Sequence, residues 1–137
     1  MVNIRRIEPH EVVQAKRLIY QVAHQVFQDT RPLEESIAFY ESRGTLNDMD
    51  DIQQTYFEKD GIFLVMTNSE QIIGTGAIRK IDDQICELKR VWLLFAYHGK
   101  GLGYKMIQEL LAFAHAKGYQ RVRLETDRDD QRRAYQL

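Results

Sequence analysis

Three glycines alternate at positions 99, 101 and 103 within Phe95-Ala96-Tyr97-His98-Gly99-Lys100-Gly101-Leu102-Gly103-Tyr104. They follow a β-type run, Cys86 to Phe95, and precede a helical stripe of Leu102, Met106, Leu110 and Phe113 that stops at Gly118. Such a chain must turn from strand to helix at a corner almost free of side chains. Glycine lets a ligand approach the backbone closely. The first N–H groups of a helix have no internal partner, and the helix dipole favours an anion there. The segment therefore reads as an anion cradle of a kind that suits a diphosphate, with Lys100 placed to add a charge-assisted contact. The plainer alternative is a connecting turn, but a connector rarely needs three alternating glycines.

Two familiar phosphate motifs fail on these residues. A P-loop needs Gly, four residues, then Gly-Lys-Ser/Thr, whereas Gly99-Lys100 is followed by Gly101. The dinucleotide fingerprint needs its third glycine at position 104 or 106, and those are Tyr104 and Met106.

The rest of the chain places the cradle. Val2 to Ile7 reads as a short strand, and Pro9 marks a helix start. Val12, Ala15, Ile19, Val22 and Val26 then form one helical stripe, and Leu33 to Arg43 forms a second, weaker helix that stops at Gly44. Thr45 to Asp60 is expected to be a loop with a short helix. Ile62 to Met66, Gln71 to Ile81 and Cys86 to Phe95 are strands joined by short turns, which implies an antiparallel meander. Tyr119 to Thr126 reads as a further strand, and Arg128 to Leu137 as the start of another helix. The fold class is thus α/β (α+β): a mixed, mostly antiparallel central sheet with helices on both faces.

At 137 residues, 44% of them hydrophobic and 28% charged, residues 1–137 fit one domain around one core. A net charge of −1 gives no electrostatic reason to expect nucleic acid. Cys86 is the only cysteine, which excludes an intramolecular disulfide and a four-cysteine metal site; no metal is expected. No apolar run approaches the roughly 20 residues needed to cross a bilayer, and Met1 to Arg6 lacks the apolar stretch of a signal peptide. The expectation is a cytoplasmic protein with no membrane partner.

With this order of elements, the glycine segment resembles the GNAT superfamily of N-acetyltransferases. That family's central motif is Gln/Arg-x-x-Gly-x-Gly/Ala between its fourth strand and third helix. Here His98 occupies the Gln/Arg place, and Gly101 and Gly103 fill the two glycine places. Leu88-Lys89-Arg90-Val91-Trp92-Leu93 is similar to the family's fourth strand. Gly61 to Val65 and Ile72 to Ala77 are similar to its second and third.

The resemblance implies transfer of an acetyl group from acetyl-CoA to a primary amine, with coenzyme A as cosubstrate. By that resemblance the cofactor-binding residues are Val91, Trp92, Leu93, His98, Gly99, Lys100, Gly101, Leu102, Gly103 and Tyr104. The diphosphate lies on the amides of residues 98–103, while main-chain groups of Val91 and Leu93 hold the pantetheine arm and the acyl carbonyl. Trp92, between them, is also expected to pack against a helix.

An alkyl ammonium has a pKa of about 10.4, so the acceptor must lose a proton before it attacks a thioester. Glu87 is the candidate general base, at the place where some family members carry a catalytic glutamate. The alternative is a solvated strand glutamate paired with Lys89 or Arg79, Glu125 is in reserve, and many relatives use a water chain. The family's general acid, a tyrosine after Asn-x-x-Ala, would follow Gln131-Arg132-Arg133-Ala134 and fall beyond Leu137; Tyr135 stands one turn too early. The family's last two strands are likewise expected to be missing, through truncation or because a partner chain, as in a homodimer, supplies them.

Other residues have plain readings. Cys86 is expected to be a small core residue. His10, His24 and His115 lack metal-ligand spacing. The acidic run Asn47 to Asp51 is a solvated loop, or alternatively a lure for a cationic amine. Two other functions stay open: a non-catalytic acyl-CoA-binding module or sensor, and, more remotely, a nucleotide-binding protein.

Overall fold

A computed structural model describes residues 1–124 and the backbone of 134–136. One sheet has the order β1-β2-β3-β4-β5-β6, formed by β1 (Val2–Arg6), β2 (Ile62–Asn68), β3 (Gln71–Lys80), β4 (Ile85–Leu93), β5 (Arg121–Leu124) and β6 (Ala134–Gln136). Neighbours are antiparallel except β4 and β5, which run parallel. That exception follows from chain order, because α4 (Leu102–Lys117) carries the chain from the end of β4 back to the start of β5.

Helices cover both faces, as the sequence implied. α1 (Val12–Val26) follows a single helical turn at Pro9–Glu11, and α2 (Leu33–Ser42) runs on to a left-handed Gly44. The two pack over a core that includes Phe63, Val65, Ile72 and Ala77. On the opposite face α4 packs Met106, Leu110 and Ala114 against Ile62, Leu64, Met66, Ile78 and Cys86. Residues 62–66 are buried at every position because alternate side chains enter opposite cores. This is why β2 reads as a continuous apolar run instead of an alternating one. Between α2 and β2 come a turn at Asn47–Met49, the short α3 (Ile52–Thr55) and a turn at Phe57–Lys59, in keeping with the loop and short helix expected there.

The end of the chain corrects the sequence reading. Ala134–Gln136, expected in a helix spanning Arg128 to Leu137, is a strand paired antiparallel with β5, with Val122 opposite Tyr135. The stretch offers no apolar stripe to bury as a helix. β5 meanwhile presents a row of main-chain donors and acceptors that a sixth strand satisfies. Glu125 and the Gln131-Arg132-Arg133 stretch lie outside the described residues.

β4 carries an irregularity that shapes everything beside it. Ala77 pairs with Lys89 and Thr75 with Trp92, so β4 has an extra residue between them. Arg90 takes up the slack with φ 58°, a left-handed conformation uncommon for a residue with a side chain. Two contacts hold it. Thr75 Oγ1 donates to the Arg90 carbonyl at 2.7 Å, and the Arg90 guanidinium donates to Asp48 at 2.7 and 3.2 Å. Asp48 also accepts from the Tyr56 hydroxyl, so an ion pair with a buried carboxylate ties the bulge to the loop before β2.

The height of α4 above the sheet is set by Gly76. A methyl group there would lie 2.8 Å from Leu110 Cδ1 and 2.9 Å from Met106 Cγ. Gly76→Val is expected to destabilise the fold by about 2–3 kcal/mol through overpacking, read as a lower urea midpoint with an unchanged slope.

Candidate active site

β4 ends at Leu93, and Phe95–Tyr97 makes one helical turn before the glycine segment. Gly99 and Gly101 adopt φ 79° and 77°, the left-handed region that side chains disfavour. Gly101 caps α4, and its carbonyl accepts from Lys105 N at 3.1 Å. A Cβ built at Gly99, Gly101 or Gly103 would meet no atom within 4 Å. Packing therefore does not explain these glycines; they leave open space in front of the helix N-terminus.

That space is a cavity of about 460 Å³ between the end of β4 and the start of α4. Nine of the ten expected cofactor-binding residues line it: Val91, Trp92, Leu93, His98, Gly99, Gly101, Leu102, Gly103 and Tyr104. Lys100 does not; its ammonium sits 5.6 Å from the Tyr97 ring centroid. Val22 and Val26 of α1, with Gly74 and Thr75 of β3, close the far wall. A run of unsubstituted backbone leading into a helix N-terminus, beside an apolar slot, suits an elongated ligand with one anionic end.

His98 makes a contact that the sequence did not disclose. Its Nε2 lies 2.7 Å from the Leu93 carbonyl, and a carbonyl only accepts, so Nε2 carries the hydrogen. The imidazole thus fastens the turn to the strand it has just left. It also stacks at a tilt on Phe95, with centroids 4.7 Å apart.

A second, larger cavity of about 780 Å³ opens between α1, α2 and β4, and shares Val91 and Trp92 with the first. Tyr20, Ala23 and His24 of α1, with Phe27 at its C-terminal cap, form one wall. Their three- and four-residue spacing is a second helical stripe beside the core-facing one, and it was available to sequence reasoning. Side-chain hydrogen bonds span the turn between α1 and α2. Asp29 accepts from the Arg31 side chain at 2.9 and 3.1 Å and from Ser36 Oγ at 2.7 Å. Those donors, Arg31 first, hold its carboxyl well below the usual carboxylate range. His24 Nε2 donates to the Arg31 carbonyl at 2.6 Å. Burial, and then the carboxylate of Glu41, push the Tyr20 hydroxyl well above its ordinary value.

Glu87 lines neither cavity. It is buried on β4, beside the parallel strand, and accepts from Arg123 Nε at 3.3 Å, not from Lys89 or Arg79. The acidic run is not a solvated loop throughout. Asp48 is buried against Arg90 and Tyr56, Asp50 meets Lys16, and Asp51 caps α3 at Gln54 N. Cys86 is a core residue, its thiol pushed up to about 11 by burial. Among the described residues no group of three or more His, Cys, Asp or Glu side chains could hold a metal, and no helix is long and apolar enough to cross a membrane.

Comparison with known proteins agrees with this architecture. The sequence model of the Acetyltransferase (GNAT) family matches residues 20–137, and the chain belongs to that family. It is 30% identical over 81 residues to the uncharacterized N-acetyltransferase YjgM of Escherichia coli K12, a match covering 57% of this chain and 48% of that protein. It is 31% identical over 85 residues to human N-acetyltransferase 8B, covering 58% and 37%. The matched region thus spans about half or less of these relatives' length. In fold it is similar to the PaiA N-acetyltransferase of Thermoplasma acidophilum, solved in complex with coenzyme A (TM-score 0.73, 20% identity, 96% of this chain and 82% of that one). It is also similar to an acetyltransferase from Streptococcus agalactiae (TM-score 0.75, 23% identity, 95% and 76%).

The Asp48 cluster gives a pH signature. Burial opposes ionisation of this carboxyl, but the hydrogen bonds from Arg90 and Tyr56 outweigh it and its pKa lies below the ordinary value. Its stabilising contribution is therefore complete above the unfolded pKa of about 3.9 and is lost as pH falls through the lower folded value. Asp48→Asn is expected to cost about 2–3 kcal/mol at neutral pH. Urea titrations should also show a flatter loss of stability in acid than in the wild type.

Proposed function

We propose that the protein is an N-acetyltransferase that moves an acetyl group from acetyl-CoA to a primary amine. The observation that carries this is the open glycine turn at the α4 N-terminus, set at the end of a bulged strand whose Val91 and Trp92 face both cavities. Family membership supports it, as do the names of the curated relatives and the coenzyme A complex of the PaiA protein.

In this reading the amides at and after Gly99, Gly101 and Gly103 hold the diphosphate, and the apolar slot along Val91 and Leu93 takes the pantetheine arm. The larger cavity receives the acceptor, so the amine nitrogen and the thioester carbon meet beside Val91 and Trp92. The amine's lone pair forms a C–N bond, the C–S bond breaks, and the sulfur leaves as thiolate. The ammonium form gives up two protons in all: one reaches the thiolate, giving free CoA, and one goes to solvent.

Glu87 remains the proposed base for the first proton. Its burial against Arg123, outside either cavity lining, requires that it act through an intervening water, a relay of the kind many relatives use.

Gly101→Val places a β-branched side chain at a left-handed position with open space around it. The variant is expected to stay folded by circular dichroism yet lose calorimetric CoA binding by about 100-fold or more, as the backbone approach is blocked. Undiminished affinity in the folded variant would contradict the site. Glu87→Gln is expected to lower kcat by roughly 10²–10⁴ with CoA affinity unchanged, and wild-type turnover would remove Glu87 from the mechanism. CoA binding without thiol release across an amine panel would favour the non-catalytic module.

A further inference from the structure

In the proposed reaction the acceptor nitrogen gives up two protons, and the larger cavity holds a group placed for the second. Resting on that transfer reaction, we infer that His24 is a further catalytic residue, its Nδ1 taking the proton that the acceptor nitrogen sheds as the C–N bond forms.

His24 is half-buried on α1 and lines the larger cavity together with Tyr20 and Trp92. Its two ring nitrogens have different surroundings. Nε2 donates to the Arg31 carbonyl at 2.6 Å, so in the neutral ring the lone pair sits on Nδ1. No described group bonds to Nδ1, and among the described residues no buried side-chain nitrogen or oxygen lacks a partner. Nδ1 therefore lies at an accessible surface. The anchor is itself held, because the Arg31 N–H donates to Asp29 at 3.0 Å and its guanidinium makes two further bonds to the same carboxylate. A ring fixed at one nitrogen and open at the other is what a general base needs, since its tautomer and rotation are set before substrate arrives. Two other titratable groups of that wall suit the task less well. Burial and Glu41 keep the Tyr20 hydroxyl protonated, and Arg31 holds the Asp29 carboxyl low, which makes it a weak proton acceptor.

Timing separates this role from that of Glu87. The first proton leaves the ammonium before attack and can travel through water. The second is lost only once the nitrogen is bonded to the carbonyl carbon inside the cavity, so its acceptor has to lie within hydrogen-bond reach. The N–H bond breaks, an Nδ1–H bond forms, and the tetrahedral adduct collapses with cleavage of the C–S bond. The imidazolium then gives that proton to the thiolate, so free CoA leaves and the neutral ring is restored.

Thiol release by the full chain tests this, with acetyl-CoA and butylamine, phenethylamine, spermidine or glucosamine as acceptor. His24→Gln keeps an N–H for the Arg31 carbonyl but has no basic lone pair. It is expected to keep the wild-type urea midpoint and calorimetric CoA affinity while kcat falls by about 10²–10³-fold for every amine that the wild type acetylates. His24→Ala should lose as much and recover severalfold when imidazole is added. Wild-type kcat in His24→Gln, or a loss in His24→Ala that imidazole leaves unchanged, would overturn the inference and leave the ring only a clasp for the turn between α1 and α2. Wild-type protein that binds CoA yet releases no thiol with any of these amines would remove the transfer reaction itself, and the inference with it.

Discussion

The corner between β4 and α4 turns on two left-handed glycines, and the exposure of the α4 N-terminus depends on that turn. With φ near 80° at Gly99 and Gly101, the chain reverses without placing a Cβ in front of the helix. The helix then presents donors that its own backbone leaves unused, where the dipole favours negative charge. His98 anchors the turn to the Leu93 carbonyl, and Gly76 lets α4 settle closely enough on β3 to fix where those donors point. Local backbone freedom, one ring hydrogen bond and one close packing contact together leave the α4 N-terminus open, the place proposed for the anionic end of the cofactor.

The bulge at Arg90 does complementary work on the strand side. An extra residue in β4 re-aims Val91 and Trp92, which then border both cavities. A left-handed Arg costs about 1–3 kcal/mol, and the fold offsets this with the Thr75 contact and the ion pair to Asp48, itself braced by Tyr56. The loop before β2 is therefore part of what holds the site in shape. Asp48 and Asp50 of that loop face inward to Arg90 and across to Lys16, and neither lines the larger cavity.

Much of this was legible in the residues because local chemistry dictated it. The alternating glycines announced an open turn, the change of period marked the sheet, and the Leu102 to Phe113 stripe marked the covering helix; the residues expected to bind the cofactor line one cavity, except for Lys100. What stayed hidden was long-range. Asp48 and Arg90 are 42 residues apart, and nothing in an acidic run or a strand arginine announces that they will meet. A buried Glu87 bonded to Arg123 on the parallel neighbour is likewise a product of sheet order, not of spacing. The sixth strand was misread as helix because pairing with β5, a tertiary event, decided the conformation of three residues with little periodicity of their own.

The central claim is that main-chain N–H groups at the β4–α4 corner grip the anionic end of coenzyme A. Amide ¹⁵N–¹H spectra recorded during a CoA titration test it residue by residue. The account predicts that the largest shifts fall on Gly99, Gly101, Gly103 and Tyr104, with smaller ones at Val91 and Leu93 and little change in α2. Saturable binding that leaves those four amides unmoved would contradict it.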